Sequence, residues 1–273
     1  MTYENIIYEA DDRVATITFN RPKRMNALSQ ALCAEFRDAV AKADADEEVR
    51  VLIVTGAGGK AFSSGYELLD PDSRPEDRTG IGAWHDRLAG DLDFTYTVWN
   101  CTKPVIAMID GYCLAGALEF AQMCDMRYCS DDARFAVIES RFSAGIATLA
   151  MPWVLGQRCR ELIYTGDMID AEEALRIGLV NRVFAKDALA AETMKIAKRM
   201  SRVALDCLKW NKRAINQSYD TMGFKAALQY GLEACVMLDS TETPELKEFT
   251  KIRIAKGVKE AIKWRDAQFK PFE

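Results

Sequence analysis

Apolar positions along the chain recur at two periods, and the switches between them outline its organisation. Residues 3–9 and 13–19 alternate apolar with polar, are rich in β-branched and aromatic side chains, and flank Asp11-Asp12, which predicts a hairpin. Leu32, Phe36, Val40 and Ala43 then fall on one face of a helix that Ser29 can cap and that runs to about Asp46. Residues 51–55 are almost wholly apolar and predict a buried strand, ended by Gly56-Ala57-Gly58-Gly59. Residues 70–82 hold Pro, Asp, Ser, Arg and Gly without a period and predict a loop. A helix over 84–99 and a strand over 105–109 follow, and this alternation predicts a largely parallel sheet with crossover helices. Short strands are expected at 127–129 and 134–136.

Beyond about residue 143 the pattern is helical almost throughout. Helices are expected over 147–156, 159–165, 171–177, 187–200, 203–219, 223–238, 244–256 and 258–268. The division this suggests is an α/β core over residues 1–190 and a helical part over 191–273. Trp210, Phe224, Leu228 and Leu232 in that part call for a partner surface, on a neighbouring copy or within the same chain.

Composition narrows the function by exclusion. A net charge of -5 does not favour a phosphate-backbone partner. The start Met-Thr-Tyr-Glu-Asn has neither a basic nor an apolar region of a signal peptide, and no apolar run is long enough for a bilayer, so a cytoplasmic protein with no membrane partner is expected. The 8 cysteines include no C-x-x-C pair and read as buried free thiols. With a single histidine, His85, there is little from which to build a metal site.

The candidate chemistry lies in two segments, Ala61-Phe62-Ser63-Ser64-Gly65-Tyr66-Glu67-Leu68 and Ile109-Asp110-Gly111-Tyr112-Cys113-Leu114-Ala115-Gly116-Ala117-Leu118-Glu119-Phe120. Each follows a strand-like run and has small residues where the chain should turn into a helix, which leaves backbone N–H groups unpaired. Each alone is also an ordinary strand-to-helix connection; together they can cradle an oxyanion, with Ser64 and Gly116 as the expected donors. Glu119 lies among Leu114, Ala117, Leu118, Phe120 and Ala121, where a carboxylate is costly unless paired, hydrogen-bonded or protonated. Glu139 follows in Phe135-Ala136-Val137-Ile138-Glu139, a less telling context. A serine hydrolase would have to use Ser63 or Ser64 with His85, and Gly-x-Ser-x-Gly is absent.

These segments, together with Asn20-Arg21-Pro22, Lys103-Pro104-Val105-Ile106-Ala107, Cys124-Asp125, Thr165-Gly166-Asp167 and Gly178-Leu179-Val180-Asn181, give the chain its family likeness. It resembles the crotonase (enoyl-CoA hydratase/isomerase) superfamily over nearly its whole length. The resemblance implies an α/β fold, a crotonase-like core of repeated ββα units with a C-terminal helical subdomain that serves oligomerisation and covers the active site. It implies Glu119 and Glu139 as the catalytic pair and the Ser64 and Gly116 N–H groups as the oxyanion hole. Arg24, Met25, Ala27, Ser64, Gly65, Tyr66, Glu67, Leu68, Tyr112 and Leu114 are the implied coenzyme A and substrate contacts, with Lys23 beside them. The implied reaction is hydration of the C2=C3 bond of an enoyl-CoA, with no cofactor beyond the substrate's own coenzyme A and no metal. A homotrimer or a dimer of trimers is the implied assembly. Isomerisation or hydrolysis on the same scaffold, or a non-enzymatic CoA or RNA binder, are the other readings. Within the likeness, Glu67 replaces an aspartate, Ala115 and Ala117 replace glycines, Ile138 replaces a proline, and the Gly-rich stretch after Glu139 is missing.

Overall fold

Strands β1 (Ile6–Asp11) and β2 (Val14–Phe19) form the expected antiparallel hairpin, and β2 then pairs in parallel with β3 (Val51–Gly56) across helix α1 (Gln30–Ala45). The computed structural model describes residues 3–67, 80–241 and 243–272, so most of the loop expected over 70–82 lies outside the described residues. Ser29 caps α1 as anticipated, its Oγ accepting the Leu32 N–H. The following elements are β4 (Ala61–Ser63), α2 (Ile81–Asn100), β5 (Val105–Ile109), β6 (Tyr112–Leu114), α3 (Gly116–Met123), β7 (Met126–Ser130) and β8 (Arg134–Ala136). Then come α4 (Met151–Leu155), α5 (Cys159–Thr165), β9 (Ile169–Asp170), α6 (Ala171–Ile177) and β10 (Arg182–Phe184).

The strands separate into two sheets by a simple rule. From β3 to β8 the first strand of each successive pair joins a six-stranded sheet, in the order β1-β2-β3-β5-β7-β10, and the second joins a four-stranded sheet, β4-β6-β8-β9; β1 and β2 both lie in the large sheet, and at the end β9 joins the small sheet and β10 the large one. The repeating ββα unit is therefore what builds two layers from one chain. In the small sheet β4, β6 and β8 are parallel neighbours, with Ser63 opposite Cys113 and Cys113 opposite Phe135. Three chain segments thus leave the same edge side by side, the place where parallel sheets present ligand sites. Behind that edge Phe19, Phe36, Phe62, Phe94 and Phe120 pack ring on ring, with Phe94 stacked on Phe120 at 5.1 Å, so that α3 and Glu119 rest on a rigid aromatic block.

The helical part is α7 (Leu189–Met200), α8 (Leu205–Thr221), α9 (Phe224–Thr241), α10 (Pro244–Lys256) and α11 (Val258–Phe269). Leu189, Ile196 and Ala197 of α7 pack on Val14, Val51, Ile53 and Ile106 of the large sheet. Helix α8 is pinned by Lys212, whose buried ammonium donates to the Val98 and Lys103 carbonyls and to Asp125 Oδ2 at 2.8–3.0 Å. Phe224, Leu228 and Leu232 of α9 are buried within the chain itself, Phe224 stacking on Trp99 at 4.4 Å. Of the four residues for which a partner surface was sought, only Trp210 stays largely exposed, with Arg213 over its ring. The helix expected from 147 starts at Met151 because residues 147 and 148 are bound to the site instead. Seven of the cysteines are buried and free; Cys207 is exposed. Burial pushes the Cys101, Cys124 and Cys129 thiols up to about 12.

Candidate active site

The turn at residues 22–26 is fastened to β4 by Asn26, whose amide donates to the Ala57 and Ala61 carbonyls at 2.9 and 2.8 Å and whose Oδ1 accepts the Arg21 N–H. Met25 and Asn26 have positive φ, which aims the Met25 carbonyl at the segment after β4. There it accepts the Ser64 N–H at 3.0 Å. The donor expected at Ser64 is therefore occupied by main chain and does not face a ligand. Tyr66 and Glu67 do not begin a helix either: Tyr66 forms a parallel bridge to Leu28, in which the Gly65 carbonyl accepts the Leu28 N–H and the Glu67 N–H donates to Leu28. In such a bridge the middle residue's own N–H points to the opposite side. The Tyr66 N–H has no partner among the described residues, and neither does that of Gly116.

These two free donors belong to turns that touch. A Cβ placed on Gly65 would sit 3.1 Å from the Gly116 nitrogen and 2.9 Å from Ala115 Cβ, and one on Gly116 would sit 2.3 Å from the Tyr66 ring. Glycine is thus required at both positions by close approach. Gly116 opens α3, so the positive end of that helix adds to its N–H. Ala115, just before it, is held at φ 52°, ψ -134°, a conformation that costs a residue with a Cβ about 1–3 kcal/mol.

Glu119, one turn into α3, and Glu139, in a short 3-10 segment after β8, converge on one cavity wall. Both carboxyls are pushed above the usual range by burial. Glu119 is offset by the Thr148 N–H, which donates to its Oε2 at 2.6 Å, and by a hydrogen bond from the Ala147 backbone. Glu139 gains some relief from its own backbone N–H, but the charge of Glu119 raises it further. Each carboxyl acts on the other, and burial together with the charge of Glu119 favours the protonated form of Glu139. Glu139 Oε2 and the neighbouring Gln122 Oε1 have no hydrogen-bond partner among the described residues. Both residues and Glu119 line a small space of about 10 Å³, which is the scale of one water.

The main cavity has a volume of about 1170 Å³. Of the expected contacts, Arg24, Met25, Ala27, Ser64, Tyr66, Glu67 and Leu114 line it. Tyr112 is held in β6 and is not part of the wall, Gly65 contributes backbone packing against Gly116, and Leu68 lies outside the described residues. Buried Glu67 ties Arg21 and Arg24 to the rim at 2.6 and 2.9 Å, so Arg24 enters the wall as half of an ion pair. Sequence reading missed the opposite rim, where Lys247, Lys251 and Arg253 of α10 face the same cavity as Lys23 and Arg24. It also missed Asp91 and Asp239, two further acids in the wall. His85 is directed to Glu233 at 3.5 Å, and Ser63 Oγ accepts the Gly65 N–H, so neither forms a nucleophile–base pair.

The comparisons agree with this architecture. The profile of the enoyl-CoA hydratase/isomerase family matches residues 9–262, and the chain belongs to that family. It is 34% identical over 229 residues to a crotonyl-CoA hydratase of Syntrophomonas wolfei, covering 81% of this chain and 85% of the relative. It is 37% identical over 212 residues to the mitochondrial Delta(3,5)-Delta(2,4)-dienoyl-CoA isomerase of Rattus norvegicus, covering 73% and 64%. An enoyl-CoA hydratase/isomerase structure from Xanthobacter autotrophicus Py2 superposes with a TM-score of 0.93 at 39% identity, over 98% of this chain and 99% of the other.

Proposed function

We propose that the protein hydrates the C2=C3 bond of an enoyl-CoA thioester to a 3-hydroxyacyl-CoA. The observation that carries this reading is the pair of buried carboxyls Glu119 and Glu139, each acting on the other, beside two backbone donors without a partner among the described residues. The thioester oxygen accepts from the Tyr66 and Gly116 N–H groups, which strengthen as it becomes an enolate oxygen. A water held by the two acids gives a proton to Glu119 as its oxygen bonds to C3. Glu139 delivers its proton to C2, and the proton taken by Glu119 restores the pair. No net proton is gained or lost, and the small space beside Gln122 is of the right size for the water.

Cations on both rims, Lys23 and Arg24 on one side and Lys247, Lys251 and Arg253 on the other, suit the phosphates of coenzyme A. Helices α10 and α11 then act as the cover of the site, and the 191–273 region as the part that also serves assembly into trimers or paired trimers.

Glu119→Gln and Glu139→Gln test the scheme. Each is expected to lower kcat for crotonyl-CoA hydration by about 10²–10⁴. The double variant should be little worse than the poorer single one, because the acids act as a unit. Undiminished hydration by Glu139→Gln would refute the two-acid mechanism. Isomerisation is the second reading, supported by the likeness to a dienoyl-CoA isomerase; it predicts double-bond migration without uptake of solvent oxygen.

A further inference from the structure

Helix α3 carries a second polar side chain on the face of Glu119. Gln122 lies three residues on, which sets it beside Glu119 on the helix surface, and it is more than nine-tenths buried. Its amide is oriented by its own helix, Nε2 donating to the Leu118 carbonyl at 3.0 Å. The opposite orientation would set two acceptor oxygens against each other, so Oε1 is the free end. Oε1 has no hydrogen-bond partner among the described residues, and neither has Glu139 Oε2. Both side chains and Glu119 line the water-sized space, whose walls are otherwise largely apolar, with Leu118, Val137, Ile146 and Met151 among them. Thr148, also in that wall, is engaged with Thr95 at 3.0 Å through its hydroxyl and with Glu119 through its N–H. Glu119 and Glu139 line the main cavity as well, whereas Gln122 does not, so the amide stands behind the two acids, away from the substrate. A buried amide oxygen without a partner is unfavourable, and packing does not call for one: an apolar side chain would fill the same place.

We propose that Gln122 is a positioning residue for the hydration step, its Oε1 accepting one hydrogen of the attacking water while Glu119 accepts the other. The proposal rests on the two-acid reading of the site and deepens it. A water held between two carboxyls alone can turn either hydrogen to either acid and direct its lone pairs away from C3. A neutral acceptor that cannot take a proton removes that freedom. With one O–H tied to Gln122, the other faces Glu119 and a lone pair is left for C3. In the step itself the water oxygen bonds to C3, the O–H facing Glu119 breaks and its proton goes to that carboxylate. The C2=C3 electron pair passes to the thioester oxygen and returns to C2 as the proton of Glu139 arrives. The O–H held by Gln122 stays whole and becomes the hydroxyl of the product. Because Gln122 does not line the substrate cavity, its loss should slow the chemistry without weakening substrate binding.

The test compares hydration of crotonyl-CoA by the full-length protein, Gln122→Met and Gln122→Glu at pH 6. Methionine keeps the length of the side chain and fills its place but offers no oxygen. Its kcat is expected to fall about 10–100-fold, with KM within about twofold of the unmodified protein. Gln122→Leu serves if the methionine variant does not fold, which circular dichroism reports. A glutamic acid kept protonated by burial and by the neighbouring acids reproduces the amide: its O–H donates to the Leu118 carbonyl and its other oxygen accepts from the water. Gln122→Glu is therefore expected to recover at least about a third of the ordinary kcat, a rescue that a packing role would not give. A kcat for Gln122→Met within about twofold of the unmodified protein, a rise in KM at unchanged kcat, or a glutamate variant no faster than the methionine one would each overturn the proposal while leaving hydration standing. Absence of hydration by the unmodified protein would refute the reaction and the role of Gln122 together.

Discussion

Asp91 is a carboxyl whose cost to folding can be worked out and measured. Its ordinary value is 3.8, and burial raises it to about 7 in the folded chain. Below pH 4 or so both folded and unfolded chains carry the proton and there is no penalty. As the pH rises towards 7 the unfolded chain releases it while the folded chain keeps it, and stability falls by up to about 1.4 kcal/mol per pH unit. Above about 7 both are ionised and the loss is complete. A gap of about three pH units corresponds to about 4 kcal/mol, and because the side chain is partly open to the cavity, about 2–4 kcal/mol is the expected range. An asparagine in its place cannot ionise. The stability of Asp91→Asn relative to the unmodified protein should therefore climb by about 2–4 kcal/mol from pH 4.5 to 8. Equilibrium urea unfolding of both proteins at several pH values reads this difference, and the titrations of Glu119 and Glu139, common to both, largely cancel. A difference that stays flat to within about 0.5 kcal/mol would show that Asp91 is not a desolvated acid.

Three further outcomes are expected. Ala115→Gly removes the Cβ from its unfavourable backbone conformation and should gain about 1 kcal/mol, a Tm rise of about 2–4 °C by calorimetry. Lys212→Met leaves Asp125 without its cation and two buried carbonyls without a donor, and should cost about 3–5 kcal/mol in denaturant unfolding. Loss of cations at the rim should appear as substrate binding: Lys251→Ala is expected to raise KM for crotonyl-CoA several-fold with little change in kcat, and added salt should raise the KM of the unmodified protein more than that of the variant.

Helices with clear end signals were legible in the chain: α5, α6 and α10 begin and end where the sequence places them, closing on Gly166, Gly178 and Gly257. Glu119 was legible because an acid inside an apolar run is anomalous, Glu139 only through the family resemblance, and the structure brings both to one wall. What could not be read is whatever depends on a distant carbonyl. Ser64 and Tyr66 are equally plausible donors until the Met25 carbonyl arrives from the preceding turn and takes Ser64. The three-residue strands β4 and β6 are too short to show a period, yet they align the two turns. Asp91 and Asp239 sit at polar positions on amphipathic helices, where an acid facing an internal cavity and an acid facing solvent look the same in sequence. The α10 cations reach the rim only through the return of the chain over the site.

The seven buried cysteines acquire a meaning from the proposed chemistry. An α,β-unsaturated thioester is a Michael acceptor, and a thiolate within reach would be alkylated at C3 in place of water. Thiols enclosed in apolar surroundings stay protonated and are poor nucleophiles. This holds for Cys235, which burial pushes far up and whose Sγ lies 4.0 Å from the cavity acid Asp239. A protein that concentrates such an electrophile is thereby shielded from covalent self-inactivation.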